Sequence, residues 1–165
     1  MDVRELVGKA VVSLDDAARL GRASDVIFDT ERLRVAGLRV SDDAGGFVLP
    51  FDQIANIGPD AITVERADQI PPGTGASRFS AMPGIGDIDT LKVVDESGTF
   101  QGTIKTLHAD PTTGDVTTLE LAKGGVLGLG AEHDSLPVGA VRSVGRDVVT
   151  VRSTARPGRT GASDD

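Results

Sequence analysis

The sequence contains no cysteine, no tyrosine and no tryptophan, and it has five phenylalanines among its 165 residues. Without cysteine the chain can form no disulfide, no thiolate nucleophile and no cysteine-based zinc or iron–sulfur site. Proteins that bind single-stranded nucleic acid by stacking use exposed aromatic side chains, so this composition disfavours that mode of binding. The hydrophobic core must therefore be built from Val, Ile, Leu and Ala with a few Phe side chains.

Long hydrophobic runs are absent as well. No segment approaches the roughly 18 consecutive apolar residues of a membrane span, and the charged start MDVRELVGKAVVSLDD lacks the apolar stretch of a signal peptide. The net charge of −8 repels polyanions and so argues against a general nucleic-acid binder. The hydrophobic content of 39% is typical of a globular protein. We expect a cytoplasmic protein with no membrane span.

The chain contains an internal repeat. The segment LPFDQIANIGPDAITVE (49–65) aligns without gaps with LPVGAVRSVGRDVVTVR (136–152), and six of the seventeen positions are identical. Upstream, GRASDVIFDTERLRVAGLRV (21–40) aligns more weakly with GTIKTLHADPTTGDVTTLEL (102–121). The offset between the copies grows from 81 to 87 residues between these blocks, so the second copy carries six extra residues near GGVLGLGAEHDS. Such a duplication predicts two similar domains.

The segment between the copies, ADQIPPGTGASRFSAMPGIG, is rich in Pro, Gly and Ser, which is typical of a linker. The final residues, TARPGRTGASDD, predict a disordered tail. We therefore predict a first domain at 1–66, a linker at 67–86, a second domain at 87–153 and a tail at 154–165.

Each copy is a series of short segments rich in β-branched residues, such as KAVVS, ASDVIFD and DAITVE in the first copy. Gly, Pro and Asp separate them, as hairpin turns require, in GPD (58–60), GRD (145–147) and DPTTGD (110–115). In RLRV, alternation predicts that Arg32 and Arg34 share one strand face, and the following AG step predicts a bulge. Short strands of this number favour closed barrels, because closure removes exposed edges. The predicted fold class is all-β, with two small barrels in tandem.

These blocks resemble the PRC-barrel domain family. The resemblance is carried by the opening LVGKAVVS, then LGRASDVIFD, a hairpin into LRVAGLRV, and the closing PFDQIANIGPDAITVE, which is the most specific part. It implies a tandem PRC-barrel-like protein with about five to six strands in each barrel. In the family such barrels occur in the H subunit of purple bacterial photosynthetic reaction centres and in a ribosome maturation factor. No catalytic motif is shared across the family, so the resemblance implies no catalytic residue.

The glycine-rich stretch GGVLGLG (124–130) has the composition of a phosphate-binding loop. Such a loop works because a helix begins directly after it and directs N–H groups at the anion. Here AEHDSLPVGAV follows, where Pro137 and a β-rich run leave no room for a helix, and the Lys-Ser/Thr pair of a P-loop is missing. We interpret the stretch as an insertion in the second barrel and predict no bound cofactor.

Metal-ligand side chains occur at Glu132, His133 and Asp134, with His108 and Asp110 elsewhere. Adjacent residues on a strand point to opposite faces, and a loop would not hold them in place. We interpret them as solvated polar groups and predict no metal site.

Two aspartate pairs recur in both copies, Asp29 with Asp110 and Asp60 with Asp147. Each lies at a turn, where an Asp side chain accepts hydrogen bonds from neighbouring backbone N–H groups. This position indicates a structural role rather than acid–base catalysis.

Arginines are concentrated in the first copy, and four of them form the candidate interaction surface: Arg22, Arg32, Arg34 and Arg39. Such a cluster could dock an acidic protein surface or RNA. The alternative is an ordinary charged strand face, balanced by nearby acidic residues.

The sequence favours a non-enzymatic cytoplasmic adaptor or scaffold that binds a protein partner of unknown identity. The alternative is an accessory protein of ribosome or RNA maturation that docks a ribosomal protein or a ribonucleoprotein through the Arg-rich face. An enzyme would need a polar pocket with a perturbed titratable group, and the sequence shows no such constellation. The sequence leaves open whether the chain forms a homo-oligomer and whether its two barrels pack together or exchange strands.

Overall fold

The computed structural model describes residues 1–70, 76–123 and 132–153. Two predictions, on the stretch GGVLGLG and on the tail at 154–165, lie outside the described residues. The first half of the molecule comprises residues 1–70, and the second half comprises the described residues 83–123 and 132–153.

Each half forms a sheet of six strands. In the first half a 3₁₀ turn precedes the first strand and another joins the fourth strand to the fifth. The elements are the turn Val3–Leu6, β1 Ala10–Ser13, β2 Arg19–Asp29, β3 Arg34–Ser41, β4 Phe47–Pro50, the turn Phe51–Gln53, β5 Ile54–Ile57 and β6 Ala61–Val64.

The second half repeats this order after a connection that contains a 3₁₀ turn, Ala67–Gln69, and a one-turn helix, α1 Ala76–Phe79. Its own leading element is a one-turn helix instead of a 3₁₀ turn. The elements are α2 Ile85–Ile88, β7 Lys92–Asp95, β8 Phe100–Ala109, β9 Val116–Lys123, β10 Glu132–Pro137, the 3₁₀ turn Val138–Ala140, β11 Val141–Val144 and β12 Val148–Val151.

Both sheets have the same topology. The strand order is β4-β3-β2-β1-β6-β5 in the first and β10-β9-β8-β7-β12-β11 in the second. The first and last strands of each half pair in parallel, β1 with β6 and β7 with β12, and the other neighbours are antiparallel. The two edge strands of each sheet are joined by a single 3₁₀ turn, so the sheet must curl until its edges meet. The predicted all-β class with two tandem barrels is confirmed.

The predicted turns form where their residues require. Gly58 and Gly145 each donate an N–H across the hairpin that closes their half, to the carbonyls of Ala61 and Val148. The Asp29 carboxylate accepts the N–H groups of Glu31 and Arg32, and Asp110 accepts those of Thr112 and Thr113 in the same way. The structural role predicted for Asp29 and Asp110 is therefore confirmed.

The predicted bulge is also present. Ile27 pairs with Gly37 whereas Phe28 pairs with Val35, so Ala36 is the extra residue on β3. The bulge bends β3 and so helps the sheet to curl.

The prediction that Arg32 and Arg34 share a strand face is wrong. Strand β3 begins at Arg34, and Leu33 before it has a left-handed backbone with a φ of 55°. Arg32 therefore lies in the β2–β3 turn, and the alternation that would have placed both side chains on one face does not extend to it.

The hydrophobic core is continuous between the halves. Inward-facing strand residues such as Val26, Leu38 and Ile62 in the first barrel, and Ile104 and Leu121 in the second, belong to one cluster of buried side chains. The two barrels are therefore packed together. The domain boundaries drawn from the sequence stay a prediction, although Phe79, inside the predicted linker, is only 2% exposed.

Candidate functional site

The two halves meet in reciprocal strand contacts. The N–H of Val35 donates to the carbonyl of Gly114 at 2.8 Å, and the N–H of Val116 donates to the carbonyl of Leu33 at 3.0 Å. Val35 and Val116 are equivalent in the repeat, as are Leu33 and Gly114. Because each half makes the same contact to the other, the halves are related by an approximate two-fold axis, which passes between Arg34 and Asp115. We call this set of contacts the junction.

In each half, the residues before the first strand, here called the leading segment, contact the other half. The Met1 carbonyl accepts the N–H of Ala109 at 2.8 Å, and the equivalent Pro83 carbonyl accepts the N–H of Phe28 at 3.0 Å. The sequence left open whether the barrels pack together or exchange strands. In the structure each sheet contains only strands of its own half, and the residues before the first strand of each half contact the other half across the junction. Residues 83–86, placed in the linker from the sequence, thus belong to the packed part of the molecule.

The two crossings use different polar groups. On one side the Asp25 carboxylate of β2 accepts the N–H of Ile85 at the start of α2, at 3.0 Å. On the other side the carboxylate belongs to the incoming segment: Asp2 accepts the hydroxyl of Thr106 at 2.6 Å and the N–H of Arg4 at 2.9 Å. Thr106 is 2% exposed, so this hydrogen bond satisfies a buried hydroxyl.

The environment of Asp2 favours its ionised form. Partial burial raises the pKa of the carboxyl, but the hydrogen bonds from Thr106 and Arg4 and the electrostatic influence of the His108 and Arg4 side chains together hold the pKa below its usual value. Arg4 itself crosses the junction, because its guanidinium forms an ion pair with Asp89 at 2.7 Å and donates to the carbonyl of Lys105.

The Asp2 contact predicts a pH dependence of stability. A carboxyl whose folded pKa is depressed stabilises the fold above its unfolded pKa, about 3.9, and this contribution is lost as the pH falls through the folded pKa. We expect Asp2→Asn to lower the melting temperature at pH 7, and the gap to wild type to narrow as the pH falls below about 4. Thermal melts followed by circular dichroism from pH 7 to 3 measure this gap. Asp43→Asn, at an exposed loop position, is the control, and a gap independent of pH would contradict the assignment.

The four arginines of the candidate surface lie in two groups. Arg22 and Arg39 are exposed on adjacent strands near one end of the β2–β3 hairpin, where Arg22 pairs with Ser41 and Arg39 with Asp25. Arg32 and Arg34 lie at its other end, five or more residues from Arg39 along the strand, or about 16 Å at 3.3 Å per residue. The structure therefore does not bring all four into one cluster.

Arg34 is engaged in the junction. Its guanidinium donates to the carbonyl of Thr113 at 2.9 Å, and its backbone forms an isolated bridge with Asp115. Arg32 stays exposed beside it, in a groove that is also lined by Arg78 and by the carboxylates of Glu31 and Asp52. The groove carries charges of both signs.

Arg22 and Arg39 mark a difference between the halves. Their guanidinium groups make no ion pair within the described part of the chain, and Arg22 donates only to the carbonyl of Gly8. The equivalent positions in the second half are Thr103 and Glu120, and Glu120 lies 3.8 Å from Lys105 and from His108. The two positions thus hold two arginines in the first barrel, and a threonine and an ion-paired glutamate in the second.

The metal-ligand residues noted in the sequence do not come together. His108 faces Glu120, whereas Asp110 holds its turn. Backbone pairing places Glu132, His133 and Asp134 along β10, opposite Lys123 to Leu121 on β9. Among the residues 1–70, 76–123 and 132–153, no group of His, Asp and Glu is arranged to hold a metal ion.

A small apolar cavity of about 30 Å³ lies in the second barrel under the first half. Its wall includes Ile104, Leu119 and Val138 from the second half and Leu33 from the β2–β3 turn of the first. The cavity therefore offers hydrophobic packing to the residue that closes it rather than the polar groups that a reaction needs.

The junction residues Asp2, Asp25 and Gly84 escaped the sequence analysis. A signal was available, because the pair Val3 and Leu6 aligns with Ile85 and Ile88 at an offset of 82. Extending the repeat upstream in this way would have placed the second leading segment inside the predicted linker.

The structure defines a protein of two fused six-stranded barrels related by an approximate two-fold axis. The family model of the PRC-barrel domain matches the chain twice, over residues 1–69 and residues 84–156. The protein therefore belongs to the PRC-barrel domain family, as the sequence blocks predict. A search of curated proteins found no significant match. None of the helices in the described residues has the length and apolar character needed to cross a membrane.

Proposed function

We propose that the protein is a non-enzymatic adaptor of the cytoplasm that binds a protein partner through the outward faces of its barrels. Membership of the PRC-barrel family supports this, since its domains mediate protein interactions and are generally non-catalytic. The duplication supports it as well, because two similar barrels that are packed together can engage one partner at two points.

The carrying observation is the basic face at Arg22 and Arg39. Both side chains are exposed and neither forms an ion pair in the described residues, so a partner carboxylate would not have to displace an existing one. A guanidinium binds a carboxylate through two parallel hydrogen bonds, which fixes orientation as well as charge. Arg32 lies too far along the hairpin to share one small contact with this pair, and it would extend a larger one.

Arg34 contributes to the proposed surface only at its border. Its hydrogen bond to Thr113 means that reversing its charge would disturb the junction, so a loss of binding in such a variant would have two explanations. The binding test therefore uses Arg22 and Arg39. Thr is the natural residue at the equivalent of Arg22 in the second barrel, so Arg22→Thr is compatible with this fold.

We expect Arg22→Thr combined with Arg39→Gln to weaken partner binding roughly three- to tenfold, because charges at the rim of an interface mainly set association rates. The tagged full chain is used to capture partners from the native host, with and without nuclease, and mass spectrometry identifies them. The variant Lys92→Gln with Arg146→Gln removes the same charge from the second half and should bind normally. Equal capture by both variants would remove the basic face from the proposal.

The nuclease treatment separates the adaptor function from its alternative, docking of a ribonucleoprotein. A protein partner that is retained after nuclease supports the adaptor function. Ribosomal proteins or RNA that are lost on nuclease treatment, with binding that falls steeply as salt rises, would instead support a role in ribosome or RNA maturation.

A further inference from the structure

We propose that the junction is a heterotypic interface: each half is built to pair with the other half, and neither is built to pair with a copy of itself. This inference goes beyond the adaptor function and does not depend on it. Three sets of residues around the two-fold axis carry it. At each, the halves differ, and the two different groups are complementary.

The first set is the charge pair on the axis. Arg34 and Asp115 occupy equivalent positions and form an isolated backbone bridge across the axis. The Arg34 guanidinium donates to the Thr113 carbonyl, and among the described residues it forms no ion pair with Asp115. The flanking bonds, Val35 to Gly114 and Val116 to Leu33, make the bridge a non-hydrogen-bonded antiparallel pair, in which side chains lie closest. Opposite charges stabilise such a pair and like charges destabilise it. If either half paired with itself, Arg34 would face Arg34 or Asp115 would face Asp115.

In the second set, a large side chain in one half packs against a smaller residue in the other half. Phe51 in the first half packs against Gly114 in the second, so closely that a Cβ on Gly114 would lie 3.0 Å from its ring. At the equivalent site the large and small residues are reversed: Leu33 projects from the first half and lines a cavity with Val138 of the second. Self-pairing of the first half would place Leu33 against Phe51, and self-pairing of the second would leave Gly114 against Val138.

In the third set, each contact between a leading segment and a strand contains one carboxylate. One crossing has Asp25 on the strand and Gly84 on the incoming segment, and a Cβ on Gly84 would lie 2.1 Å from the Asp25 carboxylate. The other crossing has Thr106 on the strand and Asp2 on the incoming segment. Self-pairing of the first half would bring the carboxylates of Asp25 and Asp2 together, and self-pairing of the second would leave buried Thr106 without Asp2.

All three sets point in the same direction. Both self-paired arrangements contain a like-charge contact on the axis. Two first halves would also be overcrowded and would bring two carboxylates together. Two second halves would leave a void and an unsatisfied hydroxyl. The surface that a free half would expose at the junction therefore fits one kind of partner, the complementary half. A second copy of the chain can supply it only by exchanging halves, not by ordinary dimerisation through this face.

The test keeps both halves and cuts the chain between them after folding. A protease recognition sequence is inserted between Gly73 and Thr74, the purified protein is cleaved, and native mass spectrometry at micromolar concentration identifies the complexes. We expect pairs of one first half and one second half. Dissociation of the cut protein, or pairs of identical halves in comparable amounts, would overturn the proposal.

The charge pair is then reversed in the same cut protein. Arg34→Asp and Asp115→Arg should each weaken association about three- to tenfold, because each creates a like-charge pair on the axis. The combined variant should recover most of the loss. By the two-fold symmetry, Arg at position 115 can donate to the Arg32 carbonyl as Arg34 does to that of Thr113.

Two exposed positions away from the axis provide charge-matched controls, Arg19→Asp and Asp43→Arg, and both should leave association unchanged. Failure of the combined variant to recover, with both single variants weakened, would mean that the axis pair does not select the partner. Full association in the single variants would equally contradict the proposal. Circular dichroism of each uncut variant shows whether the barrels remain folded.

Discussion

Replacing Gly84 with alanine is expected to lower the free energy of unfolding by about 2–4 kcal/mol. The added Cβ would lie 2.1 Å from one Asp25 carboxylate oxygen and 2.8 Å from the other. Asp25 cannot simply turn away, because its carboxylate accepts the N–H groups of Val26 and Ile85. The variant must therefore either break these hydrogen bonds or push α2 off the first barrel. Urea unfolding followed by far-ultraviolet circular dichroism measures the loss, since the chain has no Trp or Tyr for fluorescence.

The neighbouring glycine of α2 provides a matched control. A Cβ on Gly86 would meet no atom within 4 Å, so Gly86→Ala should be neutral or stabilise the one-turn helix slightly. The repeat also supplies a rescue: Gly84→Asp combined with Asp25→Thr reproduces the Asp2–Thr106 crossing of the other side. This double variant should be more stable than Gly84→Ala. Equal stability of Gly84→Ala and Gly86→Ala would show that Asp25 does not hold the leading segment.

The hairpins of each barrel were predictable because their signals are local. Gly58 and Gly145 at closing turns, and Asp29 and Asp110 at the long hairpins, fix the chain through bonds to residues within three positions. The bulge at Ala36 could be read from the AG step for the same reason. Alternation and turn chemistry were therefore sufficient to predict the fold class and the number of strands.

The junction was not predictable in this way, because its bonds join residues far apart in the chain. Nothing near Asp25 in the sequence indicates that its carboxylate caps a segment 60 residues later. The conformation of Leu33 was not predictable for a different reason: a left-handed backbone at a large apolar residue costs about 1–2 kcal/mol. In the folded protein the Leu33 side chain packs against the second half and its carbonyl accepts the N–H of Val116, and neither contact is visible in the pattern RLRV.

The junction also changes which arginines are available to the proposed interaction surface. A surface drawn from sequence alone treats Arg22, Arg32, Arg34 and Arg39 as equal members. In the folded protein the Arg34 guanidinium donates a hydrogen bond to the Thr113 carbonyl of the second half. Arg22 and Arg39 are instead exposed. The equivalent residues of the second barrel are Thr103 and Glu120. The two copies thus share the barrel topology and differ in the side chains at these outward positions.

Replacing Gly114 with leucine is the second change with a large expected effect, a loss of about 2–5 kcal/mol. Gly114 has a φ of 81°, which costs a leucine about 1–2 kcal/mol. The new side chain would also meet the ring of Phe51 at 3.0 Å, and overpacking of a core typically costs about 1–3 kcal/mol.

A second glycine separates these two causes. Gly98 has a φ of 84°, and a Cβ placed on it would meet nothing within 4 Å, so Gly98→Leu measures the backbone cost alone. The excess loss in Gly114→Leu then reports the crowding at Phe51. Urea unfolding of both variants gives the comparison. Equal losses in the free energy of unfolding would mean that the Phe51 ring can move aside without destabilising the protein.

The same site tests whether the volumes on the two sides are interchangeable. Phe51→Val alone should cost about 1–3 kcal/mol through the cavity that it leaves. Combined with Gly114→Leu it reproduces the Leu33–Val138 arrangement, so the leucine should fill the space and the double variant should lose less than the sum of the two single losses. A shortfall of at least about 0.5 kcal/mol is the coupling expected for residues in contact. Strict additivity would show that the large-against-small pairing does not decide how the halves fit.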